Sequence, residues 1–321
     1  MLKQLPSFPP RDCAPKAPLI KAPPLVAEYC GMRNLRIKDC SQTATGTMKD
    51  YRSVEIIRHL EGLADHALFF QITYGNAGYS LGFFCDRYNR EAGDAKFAVL
   101  NIVDKNTDPA IKERLRRVSE VVEMDLSRGT ISTEQMEGIA FASASFKKMP
   151  KEDRDRTYVI DVELFGMMFP KKGLYRQLVD EVAKEDAALV MMPIGSGELY
   201  MNFQSFHPFG EQLLKNPHLE SRIRGACVPG NVLCPTSFPS LAADKLVVPS
   251  SRFRPVSAVM DFVDDASVME AQAVLSQAGI KTEPSAATAF AALKALRLRD
   301  DDAPIIVVNT GCGLWPGIMR P

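Results

Sequence analysis

The segment NLRIKDCSQTATGTMKDYRSV, residues 34–54, combines a short strand, a loop of small residues and the start of a helix. Its first five residues, 34–38, predict the strand, and the run of hydroxyl-bearing and small residues at 41–47 predicts the loop. A helix is predicted over residues 50–63, because apolar residues recur there at helical spacing. These apolar residues are Val54, Ile57 and Leu60. Lys49 therefore lies where the loop becomes the helix.

The position of Lys49 suits covalent chemistry at its amine. The positive end of a helix dipole favours the uncharged form of a lysine, and burial in a cleft acts in the same direction. An uncharged amine is what a lysine needs in order to form a Schiff base with a carbonyl compound. The alternative is an ordinary solvated surface lysine, which this segment alone does not exclude.

Strands and helices alternate along the rest of the chain. Apolar runs predict strands at 67–73, 96–103, 120–124, 156–162, 187–194 and 304–311. Helical patterns occur at 76–92, 109–118, 132–146, 173–185, 267–279 and 285–296. This order predicts an α/β fold with parallel sheets and helices on both faces. The proline-rich residues 1–25 are expected to form an extended arm, and the less regular stretch 205–255 is expected to include surface loops and a linking segment.

Three glycine-containing loops follow predicted strands directly. They are TYGNAG (73–78), GSGEL (195–199) and TGCG (310–313). In open parallel sheets, ligands bind at the carboxyl ends of the strands, where such loops meet. Successive N–H groups of GSGEL could surround a phosphate, although the same pattern also serves as a plain strand-to-helix connection. The dinucleotide fingerprint and the P-loop pattern are both absent from the sequence, which argues against a nucleotide-binding α/β enzyme.

The composition argues against several other functions. Lysine and arginine together number 39, as do aspartate and glutamate, so we expect neither a nucleic-acid partner nor an anionic membrane surface. No apolar run approaches the roughly 18 residues of a membrane span, and residues 1–10 lack the apolar core of a signal peptide. Seven cysteines without a CxxC pair indicate free thiols in a reducing, cytoplasmic setting. The four histidines form no metal-binding pattern, so we expect no metal.

The segment 34–54 resembles the region around the cofactor lysine in threonine synthase and its relatives. These enzymes belong to the pyridoxal 5′-phosphate (PLP)-dependent fold type II (tryptophan synthase beta-like) family. The matching residues are Thr45, Gly46, Lys49 and Asp50, while Thr47 and Met48 replace the usual serine and phenylalanine. Four further segments resemble family landmarks, in family order. They are GNAGYSLG (75–82), MPIGSGEL (192–199), EPSAATAFAAL (283–293) and VVNTGCGL (307–314).

The resemblance implies an architecture. We expect a two-lobed, three-layer α/β/α fold with parallel-rich sheets and the cofactor between the lobes. The larger, cofactor-binding lobe would comprise residues 1–49 and 161–321, with 1–25 as its extended arm. The smaller α/β lobe would comprise residues 50–160. The family also implies a homodimer.

The resemblance further implies roles for single residues. Lys49 would carry PLP as a Schiff base and move protons, and Asn76 would bond to the 3′-oxygen of the ring. Thr310 would face the pyridine nitrogen, where a neutral hydroxyl weakens the electron sink and disfavours transamination. The residues expected to hold the cofactor phosphate are Gly195, Ser196, Gly197, Glu198 and Leu199. Those expected to bind the substrate α-carboxylate are Thr73, Gly75, Asn76 and Ala77.

Two features bear on the substrate. Lys172, with Lys171 or Arg176 as alternatives, would bind a substrate phosphate, although a solvated lysine pair is the competing interpretation. Glu198 departs from the family pattern, in which glycine or asparagine is common at this position. A carboxylate repels a phosphate, so we expect Glu198 to point away from it or to pair with a base.

The implied function is that of a PLP-dependent carbon–oxygen lyase or synthase of amino-acid metabolism, threonine-synthase-like. It would form an external aldimine with a small amino acid, remove the α-proton through Lys49, and eliminate or replace a β- or γ-substituent. Within the family, the alternative is a serine/threonine deaminase or a β-replacing, cysteine-synthase-like enzyme of a specialised pathway. The alternative of another class is a non-catalytic relative that acts as a binding module.

Overall fold

The structure is a computed structural model. It describes residues 15–73, 75–126, 131–149, 151–162, 165, 173–195, 197–205, 222–228, 260–296 and 303–314. The chain forms two compact units. Unit 1 comprises Met1–Pro15 and Lys49–Phe169, and unit 2 comprises Lys16–Met48 and Pro170–Pro321. The chain therefore passes from unit 2 into unit 1 between Met48 and Lys49.

The secondary structure alternates as the sequence predicts. In chain order, the described strands are β1 (Leu19–Lys21), β2 (Leu35–Asp39), β3 (His66–Ile72), β4 (Phe97–Asp104), β5 (Glu120–Met124), β6 (Thr157–Asp161), β7 (Leu189–Pro193), β8 (Ile223–Cys227), β9 (Met260–Phe262) and β10 (Ile305–Asn309). The described helices are α1 (Pro24–Cys30), α2 (Lys49–Glu61), α3 (Asn76–Ala92), α4 (Pro109–Arg116), α5 (Thr133–Ala142), α6 (Ala144–Lys147), α7 (Lys151–Arg154), α8 (Arg176–Ala183), α9 (Glu198–Ser205), α10 (Asp265–Gln277) and α11 (Pro284–Leu296). A 3₁₀ turn, Cys40–Gln42, follows β2.

Unit 1 is built around a parallel sheet. Its described strands lie in the order β5-β4-β3-β6. The five middle residues of β3, which has the sequence HALFFQI, are buried, as expected where both faces of a parallel sheet are covered. On one face, Leu68 and Phe70 of β3 share an apolar cluster with Met136 of α5. The helices α2 and α3 pack against each other, so the helix that begins at Lys49 is fixed beside the one that begins at Asn76.

Unit 2 is built around a second sheet. Its described strands lie in the order β1-β2-β10-β7-β8-β9. Neighbouring strands are parallel, except that β1 runs antiparallel to β2. The helix α11 packs against β7, β8, β10 and α10, and most of its residues are buried. Its many alanines explain this arrangement, because a helix that is apolar on all sides can be covered on all sides.

The structure confirms the predicted α/β class and the parallel-rich sheets. One local prediction is wrong. The predicted helix 132–146 is interrupted at Ser143, whose backbone is extended and whose hydroxyl accepts the N–H of Phe146 at 3.1 Å. The stretch 205–255 also contains β8, which the sequence did not predict, because its five residues IRGAC are too short and too mixed to reveal a strand.

The N-terminal arm is described only from residue 15. Within it, residues 19–21 are a strand paired with β2, and Pro24 begins α1, where proline suits the first helical position. The arm is therefore part of the sheet of unit 2 over this range. None of the described helices is long and apolar enough to cross a membrane.

Candidate active site

Three loops of unit 2 leave the same edge of its sheet. The strands β2, β10 and β7 are adjacent and parallel, so their carboxyl ends lie side by side. The loop after β2 leads to Lys49, the loop after β10 begins with Thr310, and the loop after β7 is GSGEL. Ligands of α/β folds bind at the carboxyl edge of the sheet. This edge is therefore the part of unit 2 in which we place the candidate active site.

The GSGEL loop offers backbone donors for an anion. Gly195 follows β7, and Gly197 has a φ of 85°, a left-handed conformation that glycine adopts without strain. Glu198 and Leu199 are the first residues of α9. The first N–H groups of a helix lack intrahelical acceptors and lie at the positive end of its dipole, which suits a phosphate. Ser196 lies outside the described residues.

The carboxylate of Glu198 is buried beside this loop. Its Oε2 accepts a hydrogen bond from the phenol of Tyr175 at 3.3 Å, and Tyr175 is itself buried. Asn202 supports both residues, because its amide donates to the carbonyl oxygen of Glu198 at 2.8 Å and accepts the N–H of Tyr175 at 3.3 Å. The carboxylate of Glu198 therefore lies in the first turn of α9, in the same loop whose N–H groups are the expected phosphate donors.

Thr310 presents an uncommitted hydroxyl. The residue follows β10, and only 4% of its surface is exposed. Its carbonyl oxygen accepts the backbone N–H of Met48 at 3.0 Å. Among the residues that the structure describes, none forms a hydrogen bond with the Thr310 hydroxyl. This hydroxyl is therefore available to a polar atom of a ligand.

The loops that contain Gly46 and Gly311 cross in close contact. The carbonyl oxygen of Gly46 accepts the N–H groups of Cys312 and Gly313, both at 3.0 Å. Gly311 has a φ of 109°, and a Cβ atom at this position would overlap the carbonyl oxygen of Gly46. Thr47 and Gly311 also form an isolated bridge. The segment before Lys49 is thus hydrogen-bonded to the loop after β10. Position 311 requires glycine because of this close contact and its left-handed backbone.

Lys49 is the first residue of α2 and is half-buried. The next residue, Asp50, is fully buried, and its Oδ1 accepts the hydroxyl of Ser80 at 2.7 Å. The hydroxyls of Ser80 and Ser53 lie 2.8 Å apart. Since Ser80 belongs to α3, these bonds join the first turn of the Lys49 helix to the second turn of the Asn76 helix.

The turn between β3 and α3 is organised by Thr73. Its Oγ1 accepts the N–H groups of Gly75 at 3.1 Å and Gly78 at 3.2 Å. Gly75 precedes the helix with a φ of 146°. Asn76 and Ala77 form the first turn of α3 and are half-buried. The N–H of Gly75 is thus committed within the protein, and Asn76 and Ala77 lie at the N-terminus of α3, the positive end of its dipole.

The candidates for a substrate phosphate are less well placed. Lys172 and Lys171 lie outside the described residues. Arg176 is the first residue of α8, and its mostly exposed side chain has Nε 3.5 Å from Oδ2 of Asp180. An exposed pair at this spacing is common on helix surfaces and carries no sign of a ligand site.

The predicted residues fall into two groups. The members that the structure brings to one edge of unit 2 are Gly195, Gly197, Glu198, Leu199 and Thr310. The members in unit 1, at or just before the N-termini of the packed helices α2 and α3, are Lys49, Thr73, Gly75, Asn76 and Ala77.

Sequence reasoning missed two buried polar residues at this edge. Asp39 is the last residue of β2, Asn309 is the last residue of β10, and the two are opposite each other in register. Both are less than 3% exposed. The available signal was an acidic or amide residue at the end of an otherwise apolar strand, immediately before a loop of the site.

The thiols of Cys227 and Cys312 are not activated. Cys30, Cys40, Cys85, Cys227 and Cys312 are free thiols. Burial raises the pKa of Cys227 to about 11 and also raises the pKa of Cys312. A thiol with a raised pKa stays protonated and is a poor nucleophile at neutral pH. In the described part of the chain, no cluster of histidine, cysteine, aspartate or glutamate could hold a metal ion.

A family model described as pyridoxal-phosphate dependent enzyme matches residues 12–311. The chain therefore belongs to this family of PLP-dependent enzymes, and its cofactor is PLP. Comparison with curated protein sequences finds no match.

Solved structures share the fold. An O-acetylserine dependent cystathionine beta-synthase from Helicobacter pylori has a TM-score of 0.69 at 14% identity, over 95% of this chain and 96% of that chain. A processed form of threonine deaminase isoform 2 from Solanum lycopersicum has a TM-score of 0.63 at 16% identity, over 94% and 85%. A maize serine racemase has a TM-score of 0.61 at 15% identity, over 94% and 89%. The fold is thus that of the fold type II PLP enzymes.

Proposed function

We propose that this PLP-dependent enzyme is a threonine-synthase-like lyase that eliminates or replaces a β- or γ-substituent of a small amino acid. Lys49 is the residue proposed to hold the cofactor. The observation that carries the proposal is the adjacency of β2, β10 and β7. Their carboxyl ends lead to Lys49, to the uncommitted hydroxyl of Thr310 and to the GSGEL loop, the three elements to which we assign the contacts with the cofactor.

Unit 2 would supply the fixed contacts to PLP. The N–H groups of residues 195–199 would bind its phosphate, supported by the left-handed Gly197 and the N-terminus of α9. The hydroxyl of Thr310 would meet the ring nitrogen. Bound PLP supplies an electron-withdrawing ring that acidifies the substrate Cα–H. A neutral partner at the ring nitrogen favours loss of a substituent over transamination.

Unit 1 would supply the group that removes the substrate proton and the groups that bind the substrate. The Nζ of Lys49 would take the proton from the substrate Cα, which requires an uncharged amine. Its position as the first residue of α2 favours that form. The N–H groups of Asn76 and Ala77 would bind the substrate carboxylate, with Thr73 and Gly75 shaping the turn. Asn76 would also bond to the 3′-oxygen of the ring, and Lys172 would bind a substrate phosphate.

Three broader features belong to the same proposal. Unit 2 and unit 1 would be the larger and the smaller lobe of the family fold. The five cysteines within the described residues are free thiols, which is consistent with a reducing, cytoplasmic setting. A homodimer is proposed from the family resemblance and is tested by sedimentation of the purified protein.

A product assay tests the function. The purified enzyme with PLP is incubated separately with O-phosphohomoserine, serine, threonine and O-acetylserine. Threonine together with phosphate from O-phosphohomoserine supports the proposal, and Lys49→Ala should abolish this turnover. Lys294→Ala, which removes an exposed lysine of α11, is the control and should keep full activity.

Other outcomes distinguish the alternatives. A 2-keto acid and ammonia from serine or threonine would identify a deaminase instead. Acetate release from O-acetylserine that depends on an added nucleophile would identify a β-replacing enzyme. No product from any of the four, with PLP bound, would favour the non-catalytic binding module.

A further inference from the structure

Asp39 and Asn309 form a buried polar pair at the edge of the unit 2 sheet. They are opposite each other in the register of β2 and β10, and Nδ2 of Asn309 donates to Oδ1 of Asp39 at 2.8 Å. Only 2% of Asp39 and 0% of Asn309 is exposed. Burying an amide and a carboxylate is costly unless their hydrogen bonds are made, so this pair is expected to have a specific role.

Every polar atom of the Asn309 side chain is used. Besides Asp39, Nδ2 donates to the carbonyl oxygen of Lys281 at 3.0 Å. Oδ1 accepts the N–H of Gly311 at 3.2 Å and the hydroxyl of Thr282 at 3.3 Å. One side chain therefore ties the end of β2, the segment before α11 and the loop after β10 to one another.

Asp39 extends these bonds into the loop that leads to Lys49. Its Oδ1 accepts the N–H of Ser41 at 3.1 Å and the Ser41 hydroxyl at 2.6 Å. Its Oδ2 accepts the side-chain amide of Gln42 at 2.8 Å. The pair is thus hydrogen-bonded to both of the loops that are in contact at Gly46 and Gly311.

The hydrogen bond from Gly311 to Asn309 determines the geometry at Thr310. Residue 310 lies between the two bonded residues, so the turn of backbone that presents its hydroxyl is closed by this bond. The same turn accepts the N–H of Met48 through the Thr310 carbonyl oxygen at 3.0 Å. A change at Asn309 would therefore reach both Thr310 and the residue before Lys49.

We propose, on the basis of the proposed function, that Asn309 and Asp39 are a positioning pair for the PLP site. They would hold the Thr310 hydroxyl and the segment Gly46–Met48 in the arrangement that binds the cofactor in one orientation. Neither residue needs to touch the cofactor. Replacing a buried polar pair by apolar residues is often neutral for stability, so we assign this pair a role in geometry.

Asn309→Leu tests the proposal, because leucine has the branched shape of asparagine, although it is larger, and makes none of the four hydrogen bonds. Val307→Ala is the matched control, since Val307 is fully buried in the same strand and belongs to its apolar core. Both variants should lower the melting temperature. Only Asn309→Leu should weaken PLP binding, by about tenfold or more, and shift the absorption band of the bound cofactor.

Amide hydrogen exchange gives a readout without the cofactor. In protein freed of PLP, Asn309→Leu should speed exchange at Met48, Gly311 and Cys312, whereas Val307→Ala should leave these amides as protected as in the wild type. Asp39→Leu should act like Asn309→Leu. Asp39→Asn keeps an acceptor oxygen for Asn309 and should restore most of the protection and of the PLP affinity.

The outcomes separate this inference from the proposed function. Borohydride label on Lys49 in the wild type, with unchanged PLP affinity, absorption and exchange in Asn309→Leu, would overturn the positioning pair and leave the function standing. Equal losses in Asn309→Leu and Val307→Ala would also overturn it. Absence of label on Lys49 in the wild type would overturn the proposed function, and the positioning role with it.

Discussion

The backbone N–H of Met48 donates to the carbonyl oxygen of Thr310 at 3.0 Å. The residue before Lys49 is therefore bonded to the residue proposed to meet the cofactor nitrogen. Both partners belong to unit 2, and the chain enters unit 1 at the next residue. The chain is thus fixed, up to the residue before Lys49, at the edge of the sheet that carries Thr310 and the GSGEL loop.

Gly311→Ala should disrupt this edge. The φ of 109° disfavours any side chain, and the new Cβ would overlap the carbonyl oxygen of Gly46. We expect a loss of about 2–4 kcal/mol in the free energy of unfolding, measured by urea denaturation, and a marked loss of PLP affinity. Gly31→Ala is the control, since Gly31 has a φ of 68° with nothing near its Cβ position, and should cost about 1 kcal/mol. Equal losses of unfolding free energy in the two variants would contradict the close contact between Gly311 and Gly46.

Gly78→Ala should destabilise the protein although alanine is the better helix former. A Cβ here would overlap Oδ1 of Asn101 and lie 2.6 Å from Cγ2 of Thr73. Asn101 is held by Gln71 and by Ser119, so it cannot move away freely. We expect a loss of about 1–3 kcal/mol in the free energy of unfolding.

Gly138→Ala is the matched control for this change in a helix. Gly138 lies in α5, and nothing lies within 4 Å of its Cβ position. Alanine should stabilise the protein there by about 0.5–1 kcal/mol. A stabilising Gly78→Ala would show that α3 does not approach β4 as closely as described.

Glu198→Gln should tighten PLP binding. The carboxylate lies in the first turn of α9, and its removal relieves repulsion of the cofactor phosphate, while the amide oxygen can still accept the phenol of Tyr175. We expect the dissociation constant for PLP to fall about threefold to tenfold in a fluorescence titration. Glu270→Gln, which removes an exposed carboxylate of α10, should leave the constant unchanged. Weaker binding in Glu198→Gln would mean that the carboxylate contributes to the site.

The buried thiol of Cys30 should make the protein less stable in alkali. Burial raises the pKa of this thiol from 9.0 to about 12. Between these values the unfolded chain loses the proton and the folded chain keeps it, so stability is fully present below pH 9 and falls as the pH rises. The contribution of this group is at most about 1.4 kcal/mol per pH unit. Urea denaturation of Cys30→Ala at several pH values should show a shallower decline than the wild type, and an identical decline would contradict this origin.

The sequence allowed the elements around the site to be predicted well, for a physical reason. The strands that became β3, β7 and β10 are apolar runs, because strands covered on both faces need no polar residues. The glycine loops were recognisable because a turn directly after such a strand needs residues without a side chain. These two signals were sufficient to locate the loop after β10 and the loop after β7.

Features that depend on contacts between distant segments could not be predicted. The strand β8 has no distinct pattern, since Arg224 pairs with Asp261 and Gly225 makes room for Ile194. The committed hydroxyl of Thr73 and the pairing of Asn309 with Asp39 depend on which segments meet in the fold. Local sequence carries no record of such partners, so only the structure reveals them.

The proposed site is tested most directly by identifying the lysine that carries PLP. The purified enzyme is reduced with borohydride, digested and mapped by mass spectrometry, with Lys49→Arg as the control. We expect the pyridoxyl label on the peptide that contains Lys49 and no label in Lys49→Arg. Label on another lysine in the wild type would contradict this expectation.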